Sequence, residues 1–305
     1  MTILPTAHTS HSQLTGWAER CQKAFELRRI RRAPERPAWW LVGGSTVHEV
    51  TEELDRRGLE FGLTPADLNV TIEVEELTVA KLDYLTARLV ESSGVPSSDW
   101  FTAGRGAGQG YDYWAENAPR MVQNYLSWRT RVGWEIAEFD GEPAIEFDLN
   151  VTIELRKHLG DQAAHLVPVE GPAVGAPDRV FNLPNRELVI VDVKSGSSTP
   201  KTLAQQGLYA TQLEMLGHRR PRYGTFVKVK EDGGVHTPLA PLAKFDRRFF
   251  EIQFAGMRAQ VETGAFLPNV GDNCRTCGVA GACYAAGGAD SAKWDPLDPE
   301  YRGGN

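Results

Sequence analysis

The stretch VGAPDRVFNLPNRELVIVDVKSG concentrates residues that can do chemistry: Asp178 heads one apolar run, and Asp192 with Lys194 ends the next, with the turn Leu-Pro-Asn between them. In a hairpin of that length the two carboxylates converge on one edge of a sheet, where their oxygens suit a hard divalent cation. One residue separates Asp192 from Lys194, so both side chains point to the same face of a strand. A cation held there polarises a phosphoryl oxygen and lowers the pKa of a water, while the ammonium stabilises developing charge; that set suits phosphodiester hydrolysis. The bland alternative is a surface hairpin with solvated charges, because D-x-K arises often by chance. The run LVIV ahead of Asp192 weighs against it. Such a run reads as a central strand covered on both faces, where a carboxylate is costly without a function or a partner.

The chain's four cysteines form a second constellation. Cys274 and Cys277 stand as C-x-x-C, Cys283 follows a short Gly/Ala loop, and Cys21 lies near the other end. Thiolates so placed fit one centre that clasps the two ends together, and spacing alone leaves structural zinc and a cubane iron-sulfur cluster both open. Four cysteines in 305 residues are too few for a disulfide scaffold.

Elements that position these groups follow from hydrophobic period and Gly/Pro punctuation. Residues 1–60 read as N-terminal helices carrying Cys21 and His48, and residues 61–132 as a helical insert containing KLDYLTARLV and YWAENAPRMVQNYLSWR. The glycine-rich AGRGAGQG within it lacks the Lys-Ser/Thr ending of a phosphate loop and reads as a linker. Residues 133–263 read as the sheet-bearing core, with strands at GWEIAEFD, AIEFDLNVTIEL, DRVFNL, ELVIVDVKSG and RYGTFVKVK. Helices are expected at TPKTLAQQGLYATQLEML and KFDRRFFEIQFAGMRAQVETG. Residues 264–305 hold the cysteine segment and a tail, loosely ordered after Ala285.

A formal net charge of -7 argues against a protein that coats nucleic acid by bulk electrostatics, though Arg28, Arg29, Arg31 and Arg32 form a basic cluster that either meets phosphates or is a solvated helix face. Trp39, Trp40, Trp114 and Trp128 are candidates to stack on bases, although aromatic residues at helical spacing are more often core. No run approaches the roughly 20 apolar residues of a membrane span, and the first residues lack the pattern of a signal peptide, so a cytoplasmic protein is expected.

Gly175 to Val180 and Asp192 to Gly196 closely resemble the G-x-x-D-R-V and D-x-K-(T/S)-G strands of the RecB-like branch of the PD-(D/E)XK nucleases. The resemblance implies an α/β, restriction-endonuclease-like core: a central mixed sheet flanked by helices, with the helical insert and an N/C-terminal iron-sulfur clasp added. It implies metal binding by Asp178, Asp192 and the backbone carbonyl of Val193, with Lys194 catalytic. His48, in a G-x-x-x-H setting from Gly44, would be an imidazole ligand, and the Q-x-x-x-Y pair Gln205 and Tyr209 would join the catalytic set. Glu52, a turn beyond His48, is a weaker candidate. Glu146 and Asp148 are competing carboxylates ahead of the D-x-K. Asp178 is preferred for its Gly175 spacing, and their strand is read as a neighbour in the sheet.

SQLTGWAERCQKAFELR and GAFLPNVGDNCRTCGVAGAC are similar to the opening and closing segments of AddB-type helicase-nucleases and CRISPR-associated RecB-like exonucleases, in which four such cysteines hold a 4Fe-4S cluster. Gln22 departs from the proline common after the first cysteine. The resemblance implies a DNA exonuclease using Mg2+ or Mn2+ on single-stranded DNA or DNA ends, in recombination, repair or phage DNA metabolism. Without a Walker A motif, unwinding would come from a helicase or recombination partner. The rival readings are a non-catalytic DNA-end-binding or adaptor subunit, and a nuclease clasped by zinc.

Overall fold

The computed structural model describes residues 9–69, 71–102, 108–196 and 200–303; five residues of the glycine-rich linker, 103–107, lie outside them. The chain divides into two compact units, each assembled from separate stretches.

The first unit runs over Ala38–Leu149 and Ala176–Phe245. It holds α1 (Trp39–Phe61), α2 (Thr71–Ser93), α3 (Tyr111–Val132), β1 (Glu135–Ile136), β2 (Arg179–Asn182), β3 (Leu188–Lys194), α4 (Ala204–Met215), β4 (Tyr223–Lys228) and β5 (Ala240–Pro241). Helix α1 buries Trp39, Val42, Thr46, Val50 and Leu54, a three-and-four spacing that puts one face toward the core, and it stops at Gly62, whose φ of +65° suits a residue without a Cβ. A Cβ on Gly43 would lie 1.9 Å from the ring of Trp114, so α1 and α3 approach through that glycine.

The sheet is mixed, in the order β1-β2-β3-β4-β5, with Val235–His236 pairing to the end of β4. β2 and β3 form the expected antiparallel hairpin, Arg179 opposite Val191 and Asn182 opposite Leu188, while β4 lies parallel to β3 with Asp192 beside Phe226. Every residue of β3 before Lys194 is buried, as a central strand requires. Strand alternation then assigns the faces. Val189, Val191, Val193 and Val227 pack with the residues of α1, α2 and α3. On the other face α4 closes over Gly224, where a Cβ would meet Gln206 at 3.1 Å, and Gly207 of α4 lies against Phe245. Asp192 and Lys194 share that second face.

A buried polar knot lies beneath the head of the hairpin. Asp55 of α1 accepts hydrogen bonds from Arg179 Nε at 2.6 Å, from the Tyr125 hydroxyl at 2.5 Å and from Arg129 Nη1. Both guanidiniums are held firmly charged despite burial, because Asp55 compensates them.

The second unit takes the described residues up to Pro37, Asn150–Gly175, and Asp246 onward. Its N-terminal segment is helical at His11–Thr15 and Gln22–Phe25, each followed by a wide π-type turn, Gly16–Arg20 and Glu26–Ile30. Its long helix, Arg247–Thr263, starts at an Asp246 cap and ends at Gly264, φ +69°. Leu149–Glu154 pairs with Glu170–Gly175 in a separate two-stranded sheet. AIEFDLNVTIEL, read as one strand beside the hairpin, is thus divided: Ile145 forms an antiparallel bridge to Arg179 of β2, while the strand that follows joins another sheet. The tail is also better ordered than expected. Ser291–Trp294 is helical, and the fully buried Asp295 pairs with the buried Lys23 at 3.3 Å.

Candidate metal centre

Asp178 stands at the head of β2, where one of its carboxylate oxygens accepts the Val193 N–H at 2.7 Å and lies 3.3 Å from His48 Nδ1. The hairpin register therefore aims this carboxylate at the end of β3, and α1 delivers the imidazole. Glu146 completes the group: ligand atoms of His48, Glu146 and Asp178 all lie within 4.8 Å of one another. Glu146 sits in the irregular segment before Leu149 with φ +45°, a left-handed conformation that side-chain-bearing residues seldom adopt. Its N–H donates to the Asp178 carbonyl at 3.2 Å, and Arg56 Nη2 donates to the neighbouring Ile145 carbonyl at 2.7 Å. Burial, then the charge of Asp178, pushes the Glu146 carboxyl up to about 7.

Asp192 lies deeper, 3% exposed. Burial and the charge of Asp178 raise it to about 7, against the pull of Lys194, whose ammonium is 2.5 Å away. Its Oδ2 is fully buried and, apart from that ion pair, accepts no well-formed hydrogen bond. A crowded set of three carboxylates with an imidazole alongside, countered within the group by Lys194, is a donor set that fits a hard divalent cation, because the cation offsets the mutual repulsion of the carboxylates.

Gln205 and Tyr209 border this site. Gln205 Nε2 donates to the Tyr209 hydroxyl at 2.9 Å, and the phenol is held above its usual range by burial, with Asp178, Asp192 and Glu146 acting in the same direction. The placement follows from α4 covering the face that carries Asp192 and Lys194. Val193 contributes its N–H to Asp178. Glu52 stays outside the tight group and pairs with Arg56 at 3.0 Å. Asp148 is exposed.

Glu146 is the residue that reading strand by strand undervalued. Its signal was a carboxylate next to an apolar run, but a bend with positive φ has no hydrophobic period to follow.

The cysteines all belong to the second unit and are half-buried and free. Burial pushes the Cys277 and Cys283 thiols up. No three of their sulfurs lie within 4.8 Å of one another among the described residues, whereas four thiolates on one zinc would stand roughly 3.8 Å apart at a Zn–S distance of ~2.3 Å. Gln22, where a proline was the commoner residue, does what proline cannot: its side-chain oxygen accepts from Gln260 Nε2 at 2.7 Å and from the Leu267 N–H at 3.2 Å. Gln260 in turn accepts from Trp17 Nε1 at 2.5 Å. The Asn269 N–H reaches Cys21 Sγ at 3.3 Å. The basic cluster is partly neutralised, Arg28 by Glu35 and Arg31 by Glu26.

A mixed sheet flanked by helices, with acidic residues and a lysine at the end of a central strand, is a nuclease architecture. The chain belongs to the PD-(D/E)XK nuclease superfamily, whose family model matches residues 8–284. It is similar to the Gene 69 protein of Mycobacterium phage D29, 27% identical over 295 residues that cover 93% of this chain and 98% of the relative. It is similar also to the Gene 69 protein of Mycobacterium phage L5, 25% identical over 311 residues, with 92% and 97% covered. Among the described residues no helix is long and apolar enough to cross a membrane.

Proposed function

We propose that this protein is a metal-dependent DNA exonuclease that hydrolyses single-stranded DNA or resected ends in recombination, repair or phage DNA metabolism. The observation that carries the reading is the gathering of His48, Glu146 and Asp178 within 4.8 Å beside the buried Asp192–Lys194 pair. His48, Asp178, Asp192 and the Val193 carbonyl would hold Mg2+ or Mn2+, with Glu146 as an added carboxylate. The cation's contribution is Lewis acidity toward the phosphate and a lowered pKa for the attacking water. Lys194, held by Asp192 with its side chain partly exposed, would orient the attacking water and offset the negative charge that builds on the phosphate. Gln205 fixes the Tyr209 hydroxyl at the border of the site, where it can position a substrate phosphate. Any unwinding comes from a partner.

Cys21, Cys274, Cys277 and Cys283 hold a 4Fe-4S cluster in this proposal, as a structural clasp within their unit. Support comes from the spacing of Cys274, Cys277 and Cys283 and from the placement of all four cysteines in one compact unit. Purified protein should be brown, with absorbance around roughly 400 nm from thiolate-to-iron charge transfer; a colourless, zinc-loaded protein would overturn this part.

The hydrolytic reading is tested with end-labelled single-stranded DNA and Mn2+, the wild type beside Asp192→Ala. Shortening of the DNA from one end by the wild type alone is expected. Equal behaviour of the two proteins would leave a DNA-binding subunit on the same fold.

A further inference from the structure

Of the four tryptophans considered for base stacking, Trp39, Trp114 and Trp128 are core, 5% exposed or less, and Trp40 packs half-buried against that core. Contact with a strand falls instead to charge. The chain carries a net charge of -7, and Glu146, Asp178 and Asp192 gather at the candidate metal centre, so a phosphodiester approaching it needs cations close by. Lys194 is one, but its ammonium is held by Asp192 at 2.5 Å.

A second cation lies on the neighbouring strand. β4 runs parallel to β3 with Lys228 in register with Lys194, and the Val229 N–H donates to the Lys194 carbonyl at 3.1 Å, so the pairing holds to the ends of both strands. Register partners on adjacent strands project from the same face, ~4.8 Å apart. That face is the one bearing Asp192, since the Lys194 ammonium lies 5.9 Å from the centre of the Phe226 ring, two residues before Lys228. Both lysines thus stand at the carboxyl ends of parallel strands, where ligands of open α/β sheets bind.

The Lys228 ammonium has an exchangeable partner on a fixed scaffold. It pairs with Glu231, three residues on, and the two side chains are 27% and 50% exposed, so solvent screens the pair and little stability depends on it. The turn that carries Glu231 is firmly placed. Asn124 of α3 donates through Nδ2 to the Val229 carbonyl at 3.0 Å and accepts the Gly233 N–H through Oδ1 at 3.1 Å. Arg131 donates to the Gly233 carbonyl at 3.2 Å and to the Gly234 carbonyl. Gly234, φ +64°, passes so near α3 that an added Cβ would stand 2.6 Å from the Asn124 carbonyl oxygen.

We infer that Lys228 is a positioning residue for the DNA strand, its ammonium leaving Glu231 to bind the phosphate next to the scissile one. This rests on the nuclease reading for which phosphate is meant, and on the strand register for the place of the cation. One DNA strand carries a phosphate every ~3.4 Å along the helix axis, a step comparable with the ~4.8 Å between the strands of the two lysines. A phosphate contact carries no sequence information, so Lys228 sets the register of the strand and not a base preference.

The test is equilibrium binding of a fluorescein-labelled single-stranded oligodeoxynucleotide in Ca2+, from roughly 50 to roughly 200 mM salt. Lys228→Ala should weaken binding roughly three- to tenfold and make the slope of log affinity against log salt shallower by ~0.7, the share of one phosphate contact on a single strand. Lys228→Arg should restore most of both. Glu231→Gln should bind more tightly than the wild type, and the double variant should bind like Lys228→Ala, because the glutamate acts through the lysine. Arg222→Ala removes a cation just before the opposite end of β4, where Glu187 pairs with it at 3.1 Å, and should keep the wild-type slope. Lys228→Ala protein that melts normally and keeps the wild-type affinity and slope overturns the proposal. So does Glu231→Gln protein that binds no more tightly, whether or not Lys228→Ala folds, and so does a gain from Glu231→Gln that survives in the double variant. If DNA is cut in an Asp192-dependent way while Lys228→Ala keeps the slope, Lys228 fails and the nuclease stands. If the slope depends on Lys228 while wild type and Asp192→Ala leave DNA equally uncut, the nuclease fails and Lys228 stands as a phosphate contact.

Discussion

The backbone N–H of Glu146 donates to the carbonyl of Asp178 at 3.2 Å, and Arg179 Nη1 donates to that same carbonyl. One oxygen at the head of β2 thereby anchors the bend that carries Glu146 and the arginine that enters the core. The carboxylate of Glu146 reaches the group of His48 and Asp178 as a consequence. Glu146→Gln, which keeps the shape and removes the charge, should weaken Mn2+ binding by roughly 10- to 100-fold. Calorimetric titration checks this, with Asp148→Asn, at an exposed position two residues on, as the control that should bind like the wild type.

Protons and a divalent cation compete for the same carboxylates. Glu146 and Asp192 are both pushed up to about 7 in the fold, whereas in the unfolded chain Glu and Asp titrate near roughly 4. Between those values the folded state holds protons that the unfolded state has released, so this contribution to stability declines as pH rises from about 4 to about 7. Below that window both states are protonated and the contribution is flat. Metal-free protein should therefore melt at a lower temperature near pH 8 than near pH 5, and Asp192→Asn should flatten the slope. Mn2+ should raise the melting temperature most at the alkaline end, where no proton opposes it. Scanning fluorimetry across the range decides, and equal slopes in wild type and variant would contradict the assignment.

Asp55 compensates two buried guanidiniums and accepts the Tyr125 hydroxyl. Asp55→Ala leaves Arg129 and Arg179 as uncompensated buried charges, a loss of ~3–5 kcal/mol. A shift of the urea midpoint toward lower denaturant is expected. A change under ~1 kcal/mol would mean that the knot relaxes into water.

Gly43 and Gly207 are expected to reject even one methyl group, since their added Cβ atoms would stand 1.9 Å from the Trp114 ring and 2.3 Å from Phe245. Each Gly→Ala change should cost ~1–3 kcal/mol through forced repacking. Gly160→Ala, which meets nothing within 4 Å and has no unusual φ, should stay within about 0.5 kcal/mol of the wild type in the same unfolding series.

Much of this molecule is legible along the chain because its signals are periodic and local. Strand alternation in LVIVDVK set Asp192 and Lys194 on one face, and the apolar run before them marked a strand covered on both sides, as β3 is. The three-and-four spacing of α1 put His48 on a helix, and G-x-x-D-R-V placed Asp178 at the head of the paired strand. What the chain could not reveal depends on contacts between distant segments. Glu146 belongs to no periodic element, and it enters the site because Arg56 and Asp178 hold its bend. Arg179 reads as part of a motif, but only packing shows that it is buried against Asp55, 124 residues away. Four tryptophans looked alike, and burial separated Trp40 from the other three. Side-chain period is a property of one segment, whereas burial, charge compensation and the convergence of ligands are set by which surfaces the fold brings together, and that is decided only in three dimensions.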